Sequence, residues 1–364
     1  MTQENLEKLY QLRKELHAHA EGAGKEVRTQ EILKKFIRSN TSLKIVEEGK
    51  WFYCIYEGRK EAKEKTRIAF RADMDGVSSP DGSVAHRCGH DGHSTVLAGL
   101  ALELEEKKPE RDVILLFQHG EETGEGAREC KKTLKDTNTD EIYGFHNIPG
   151  YPVGSVLIRE ETFACASKGM IIHLTGKPSH AAYPEAGINP AFVIGELITS
   201  LPDLLEQKHY KGMVLCTVIK ILVGDEAFGV SASEGEILLT IRAHYEEDLE
   251  KLQDKMERFV KEHAQKSGLE YSFAYSEEFP ETRNYSTCVE TIKKVSDKLG
   301  LLSVYPEEPF RWSEDFGHYL KDTKGAFFGI GDGETYTQLH TETYEFPDEI
   351  IKTAVSMFYG IIEE

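Results

Sequence analysis

Apolar residues recur at two different periods along the first half of the chain. Leu6, Leu9, Leu12 and Leu16 fall at helical spacing, and Ile32, Leu33, Phe36 and Ile37 repeat the pattern. Short apolar runs bounded by polar turns follow at Tyr53–Tyr56, Ile68–Phe70 and Val113–Phe117. Between the last two lies a helical pattern carrying Val96, Leu97, Leu100 and Leu104. This alternation predicts an α/β domain with a mixed, largely parallel sheet flanked by helices.

The middle of the chain reads differently. Strand patterns at Met170–Leu174, Leu215–Leu222, Glu236–Arg242 and Tyr271–Tyr275 are interleaved with helical ones at Asn189–Ser200 and Glu247–Ser267. The order βαββαβ predicts a ferredoxin-like α+β domain inserted at residues 167–276. The first domain is then discontinuous, residues 1–166 and 277–364, and takes the chain back before Trp312–Phe316 and Leu339–Glu342. Gly- and Ser-containing junctions near Ser167 and Ser276 are the expected hinges.

Length and charge narrow the function. The 364 residues fit two domains of roughly 150 each. A net charge of −19 repels phosphate backbones, which argues against a nucleic-acid partner. No apolar run approaches the roughly 20 residues needed to span a bilayer, and residues 1–10 lack a signal peptide's apolar core. Six cysteines without CxxC pairs suit a reducing compartment. The expectation is a cytoplasmic protein with no membrane partner.

The chemistry concentrates in His86–His93, where eight residues hold a thiol, three imidazoles and a carboxylate. Cys88 and His90, with only Gly89 between them, can address one cation through the ligand types zinc prefers. In sheets of this kind ligands sit at the carboxyl ends of strands. Arg71–Asp75 follows one apolar run, Gln118–Glu122 a second, and Phe145–Asn147 a third, so three strand ends deliver acids or imidazoles to one edge. Glu121 and Glu122 are adjacent carboxylates at such an end. There one can bind metal while the other stays free as a base. Arg242, at the end of a strand in the inserted domain, could pair with a substrate carboxylate.

Eight motifs occur in one order. They are Leu12–Glu21, Arg71–Val77 (RADMDGV), His86–His93 (HRCGHDGH), Gln118–Glu122 (QHGEE), Gly144–Gly154, Gly176–Pro190, Ser313–Phe316 (SEDF) and Leu339–Glu349. Together they resemble the aminoacylase-type metallopeptidase family, in its branch of N-acyl-amino-acid, hippurate and indoleacetyl-amino-acid amidohydrolases. The resemblance covers nearly the whole chain.

It implies a dinuclear centre held by Cys88, His90, Glu122, His146 and His340, with Cys88 bridging as thiolate. It also implies Glu121 as general base and Asp75 orienting a ligand such as His90. Asp91 is a lesser candidate for that orienting role, and His93 is read as structural. His180, in the inserted domain, would reach the substrate carbonyl or carboxylate as that domain closes like a lid. The same domain would carry a homodimer contact. The cofactors expected are two divalent metal ions, zinc first, with manganese, cobalt or nickel able to occupy the same donors.

The chain departs from the family at four places, one of them the segment Glu185–Pro190, where the family has HxGxDP. Ala20 stands for a Pro, His119-Gly120 for Pro-Ala, and Gly229 for an Asn in the inserted domain. The two departures in the inserted domain leave the acyl group and the amino acid open. The function implied is a metal-dependent hydrolase cleaving the amide of a small N-acyl amino acid. The alternative is an exopeptidase, a dipeptidase or carboxypeptidase, on the same site. A non-catalytic binding protein ranks third, because Glu121 and all five ligand positions are filled.

Overall fold

The computed structural model describes residues 1–58, 66–79 and 81–364. They form two compact units, one of residues 1–163, 282–309 and 315–364, the other of residues 164–281 and 310–314.

The first unit is built on an eight-stranded sheet. Its spatial order is Lys44–Glu47, Phe52–Tyr56, Asp112–Gln118, Arg67–Asp73, Glu141–Pro149, Lys324–Gly333, Val156–Leu157 and Ser303–Val304. The central pairs are parallel, Arg67–Asp73 lying between Asp112–Gln118 and Glu141–Pro149, and Glu141–Pro149 beside Lys324–Gly333. Antiparallel pairs finish the Lys44–Glu47 edge. Asp112–Gln118 is buried along its whole length, as a strand covered on both faces must be, and so it reads as an unbroken apolar run.

Helices cover this sheet. Gln3–His17 starts on Thr2, whose hydroxyl caps the Asn5 amide at 3.2 Å, and buries Leu9, Leu12 and Leu16. His90–Lys107 is buried through Leu104, so its sequence shows little amphipathic contrast. Val27–Asn40 and Ile351–Glu363 complete the same core through Leu33, Ile37, Val355 and Phe358. Each such side chain contributes roughly 1.5–3 kcal/mol by leaving water.

The second unit is a four-stranded antiparallel sheet in the order Val214–Val223, Glu234–Ala243, Ala166–Thr175, Glu270–Phe279. Helices Ala191–Leu204 and Glu246–Ser267 bury Val193, Leu197, Leu252 and Met256 against it. Alternate residues of Glu234–Ala243, from Ile237 to Ile241, point into that core. The sequence of elements and the strand order are ferredoxin-like.

Boundaries differ from the sequence expectation in two ways. Ser167 and Ser276 lie inside strands Ala166–Thr175 and Glu270–Phe279, so neither is a hinge. Phe310–Glu314 groups with the second unit and not the first. The Cys165 amide bonds to the Phe310 and Trp312 carbonyls, each at 3.1 Å, and Arg242 donates to the Arg311 carbonyl at 2.8 Å and to Ser313 Oγ at 2.7 Å. Among the described residues, no helix is long and apolar enough to cross a membrane.

Candidate metal centre

Two strands run further than their apolar patterns suggest, and both carry site residues. Arg67–Asp73 continues past Phe70 because Arg71, Ala72 and Asp73 keep pairing with Leu116, Phe117 and Gln118. His146 and Asn147 likewise lie within Glu141–Pro149, paired with Gly329 and Ile330, and do not follow the strand. Polar residues at buried strand ends read as turns in the sequence, but here the neighbouring strand fixes their backbone.

Gly89 sets the next element. Its φ of +95° is the left-handed region, and a Cβ there would lie 2.4 Å from Asn147 Oδ1. The chain turns on this glycine into helix His90–Lys107, leaving Cys88 before the helix and His90 and His93 on its first turn. His340 also sits at positive φ, +63°, with its amide bonded to the Arg87 carbonyl at 2.7 Å. A non-glycine residue held there stores about 1–3 kcal/mol of strain, which is characteristic of functional positions.

These elements bring six residues together. Cys88 Sγ lies 3.4 Å from His146 Nε2 and 3.3 Å from His340 Nε2. His340 Nε2 is 3.7 Å from Glu122 Oε1, and His90 Nε2 is 3.9 Å from both Glu121 Oε2 and Glu122 Oε1. The far nitrogens of two of the rings are already engaged. His90 Nδ1 faces Asp75, 3.0 Å from its carbonyl and 3.2 Å from Oδ1. His146 Nδ1 lies 2.7 Å from the Asn147 carbonyl. Each Nδ1 is thereby the protonated nitrogen, and each Nε2 lone pair is turned inward, as ligating imidazoles require.

The donors fit divalent cations. Within this cluster His90 Nε2 and Glu122 Oε1 are buried without a hydrogen bond. Such atoms are costly unless another partner satisfies them, and a cation would serve both. Cys88, His90 and His146 form one close group, and Cys88, Glu122 and His340 another. Burial, opposed by His90 and reinforced by Asp75 and Asp73, pushes the Glu122 carboxyl up to about 7. Burial and the Glu122 carboxylate hold the Cys88 thiol well above its ordinary value, with His90 opposing. Cys88 and Glu122 thus resist charging on their own, and a bound cation would reverse that preference.

A buried polar network extends beyond these donors, and most of it had no role in the sequence reading. His93, assigned there as structural, has both ring nitrogens occupied, Nδ1 by Asp73 at 2.7 Å and Nε2 by Asn147 at 2.6 Å. Asp73 also takes the Arg71 guanidinium at 2.7 Å. Arg71 reaches Gln118 Oε1 and Asp315 Oδ1, each at 2.7 Å. The Asp315 amide lies 3.4 Å from Glu121 Oε1. On the other side Asn147 Nδ2 donates to Asp332 at 3.0 Å. Asp91 is not on His90; it holds His17 at 2.8 Å.

Three further sequence candidates belong to the second unit. His180 is exposed, accepts the Ala182 amide on Nδ1 at 3.0 Å, and pairs with Val230. The Gly229 carbonyl accepts the Ala181 amide at 2.9 Å, and a Cβ at Gly229 would meet nothing within 4 Å. One terminal nitrogen of Arg242 is taken up by Arg311 and Ser313, as described above.

The chain matches the model of peptidase family M20/M25/M40 over residues 69–364. An N-acetyldiaminopimelate deacetylase of Bacillus pumilus is 27% identical over 373 residues, covering 97% of this chain and 96% of the relative. An N-acetylcysteine deacetylase of Bacillus subtilis is 24% identical over 364 residues, covering 96% and 95%. In structure, a dinuclear metal binding peptidase of the M20 family, the Bacillus subtilis YXEP protein, superposes with a TM-score of 0.84 at 22% identity, covering 100% of this chain and 98% of that one. The chain belongs to peptidase family M20/M25/M40. Family and site together define a metal-dependent amidohydrolase.

Proposed function

We propose that this protein removes the acyl group from small N-acyl amino acids, with Cys88, His90, Glu122, His146 and His340 holding two divalent ions. The observation that carries this reading is the convergence of those donors beside a second carboxylate, Glu121, that completes neither close group around Cys88. Zinc is the first choice for a thiol and imidazole set, with manganese, cobalt or nickel able to replace it. Bound there, two such ions would lower the pKa of a water enough for it to lose a proton near neutral pH.

The chain's own residues do the rest. Glu121 takes the water's proton on the oxygen facing His90 and passes it to the leaving nitrogen. Asp75 keeps His90 in the tautomer that leaves Nε2 free, and its other oxygen accepts the Glu122 amide at 3.0 Å. His180 donates to the substrate carbonyl or carboxylate. Arg242 has guanidinium nitrogens beyond the one held by Arg311 and Ser313 to meet a carboxylate.

A homodimer through the second unit belongs to the same proposal. Its edge strand Val214–Val223 exposes Leu215, Ile219, Ile221 and Leu222, which an unpaired edge does not tolerate well. A cytoplasmic setting is supported by six free cysteines. The relatives named as deacetylases of N-acetyldiaminopimelate and N-acetylcysteine support an acetylated amino acid as substrate, with short peptides as the alternative.

The test compares kcat/KM on N-acetylcysteine, N-acetyldiaminopimelate, hippurate and a free dipeptide, before chelation, after it, and after metal is restored. The reading expects an N-acetyl amino acid to lead by at least about tenfold and the activity to vanish and return with metal. A dipeptide leading by that margin would make the protein an exopeptidase.

A further inference from the structure

The pair Glu121–Glu122 sits in a single 3-10 turn, Glu121–Thr123, directly after a buried strand. Such a turn has few internal hydrogen bonds, so its rigidity must come from outside. The Glu121 carbonyl is held by the Gly124 amide at 2.8 Å, and the Gly120 carbonyl by the Gly126 amide at 3.1 Å and by Thr123 Oγ1 at 3.2 Å. The amides on either side of Glu121 are held by two carboxylates. Asp75 takes the Glu122 amide, and Glu26 takes the Gly120 amide at 2.8 Å.

Glu26 comes from a segment far away in sequence, at the start of helix Val27–Asn40. It is only 2% exposed, and the same Oε1 also accepts the Gly24 amide at 2.8 Å. Gly120 has a φ of +58°, a left-handed kink that glycine takes without strain but does not itself fix, and the Glu26 carboxylate pins its amide ahead of the proposed base. Burying a carboxylate is costly, and the return here is the fixation of one backbone amide beside a reacting group.

We infer that Glu26 is a positioning residue for the proposed general base, clamping the Gly120 amide so that Glu121 stays aimed at the reacting water. The inference rests on the amidohydrolase reading for its catalytic consequence, but the clamp itself does not. Misplacement of a catalytic group by about 1 Å can cost about a hundredfold in rate. A carboxylate that only stabilised the fold would lower stability without acting through Glu121.

The experiment uses the full-length, metal-loaded protein and four variants, Glu26→Ala, Glu26→Gln, Glu121→Gln and the double Glu26→Ala/Glu121→Gln. Amide hydrogen exchange of the 118–124 stretch is read alongside steady-state kinetics on the best N-acetyl amino acid. Glu26→Ala is expected to speed exchange there by at least about tenfold. It should lower kcat about ten- to a hundredfold with KM and bound metal within about threefold of the parent. Glu26→Gln, which keeps an acceptor oxygen, should stay within about threefold of the parent in both. In the Glu121→Gln background, Glu26→Ala should cost no more than about twofold, because the group it positions is gone. Should Glu26→Ala not fold, Glu26→Asp, one methylene short of Gly120, takes its place. Unchanged exchange, full additivity with Glu121→Gln, or a Gln variant as impaired as Ala would each overturn the inference. Absence of hydrolysis of any N-acyl amino acid would instead overturn the functional reading and leave the exchange result standing.

Discussion

The turn bearing Glu121 and Glu122 and the two-stranded ladder bearing His180, Ser179–His180 against Val230–Ser231, are built in opposite ways. In the turn, both amides flanking Glu121 and both carbonyls before Glu122 have named partners. Around His180 the ladder is two residues long, the ring is exposed, and Phe228, Val230 and Tyr183 stand in the open. Hydrolytic machinery needs atoms held to a fraction of an ångström, and a buried polar network achieves that. On the proposed reading, in which His180 meets substrate, such a surface gains from fewer fixed contacts. The departure from the family at Gly229 falls in the second kind of region, where a side chain can change without disturbing anything packed around it.

Changes in the fixed region should therefore act most strongly. Glu121→Gln removes a proton acceptor and is expected to cut kcat at least about a hundredfold while metal content stays at the parent level. Kinetics paired with elemental analysis decides this, and loss of metal would assign Glu121 as a ligand. His180→Ala is expected to lower kcat/KM about tenfold with metal unchanged. Normal kinetics on N-acetylcysteine would make this His a surface residue.

The buried network also predicts a pH effect on stability. Burial, opposed by hydrogen bonds from Asn147 and Tyr344, pushes the Asp332 carboxyl up to about 7. A carboxyl raised on folding contributes fully below its unfolded value near 4 and loses that contribution as pH rises through about 7. Asp332→Asn removes this titration. The variant should gain on the parent between pH 5 and pH 8, by on the order of 1 kcal/mol or more. Denaturant midpoints at pH 5, 6, 7 and 8 check it, and a constant difference would contradict it. The smallest effect belongs to the open region. Gly229→Asn should leave folding unchanged and shift the ratio of kcat/KM between hippurate and N-acetylmethionine by about three- to tenfold.

The sequence disclosed the donors more readily than their support. Cys88, His90, His146 and His340 are uncommon residue types in tight motifs, and Glu122 stood out as one of an adjacent acidic pair after the apolar run Val113–Phe117. The second unit was legible for the same reason, since its strands alternate and its helices bury one face. The supporting network was not. Arg71 and Asp73 share one strand, but Asn147, Asp332 and Glu26 come from three other segments, and only the fold brings the four together. Asp73 stands two residues before Asp75 in one motif, yet nothing local distinguishes the carboxylate that holds His93 from the one that orients His90. Strand Arg67–Asp73 ran on for a similar reason, because the partner strand, and not local hydrophobicity, determines where it ends.

The central claim is that Cys88 joins the two groups of donors around a pair of metal ions. Elemental analysis of the purified protein and of its Cys88→Ser variant, after equal loading and desalting, tests this most directly. The account predicts about two divalent ions per chain in the parent and fewer than one in the variant, with both proteins folded by circular dichroism. Two ions retained without the thiol would contradict it.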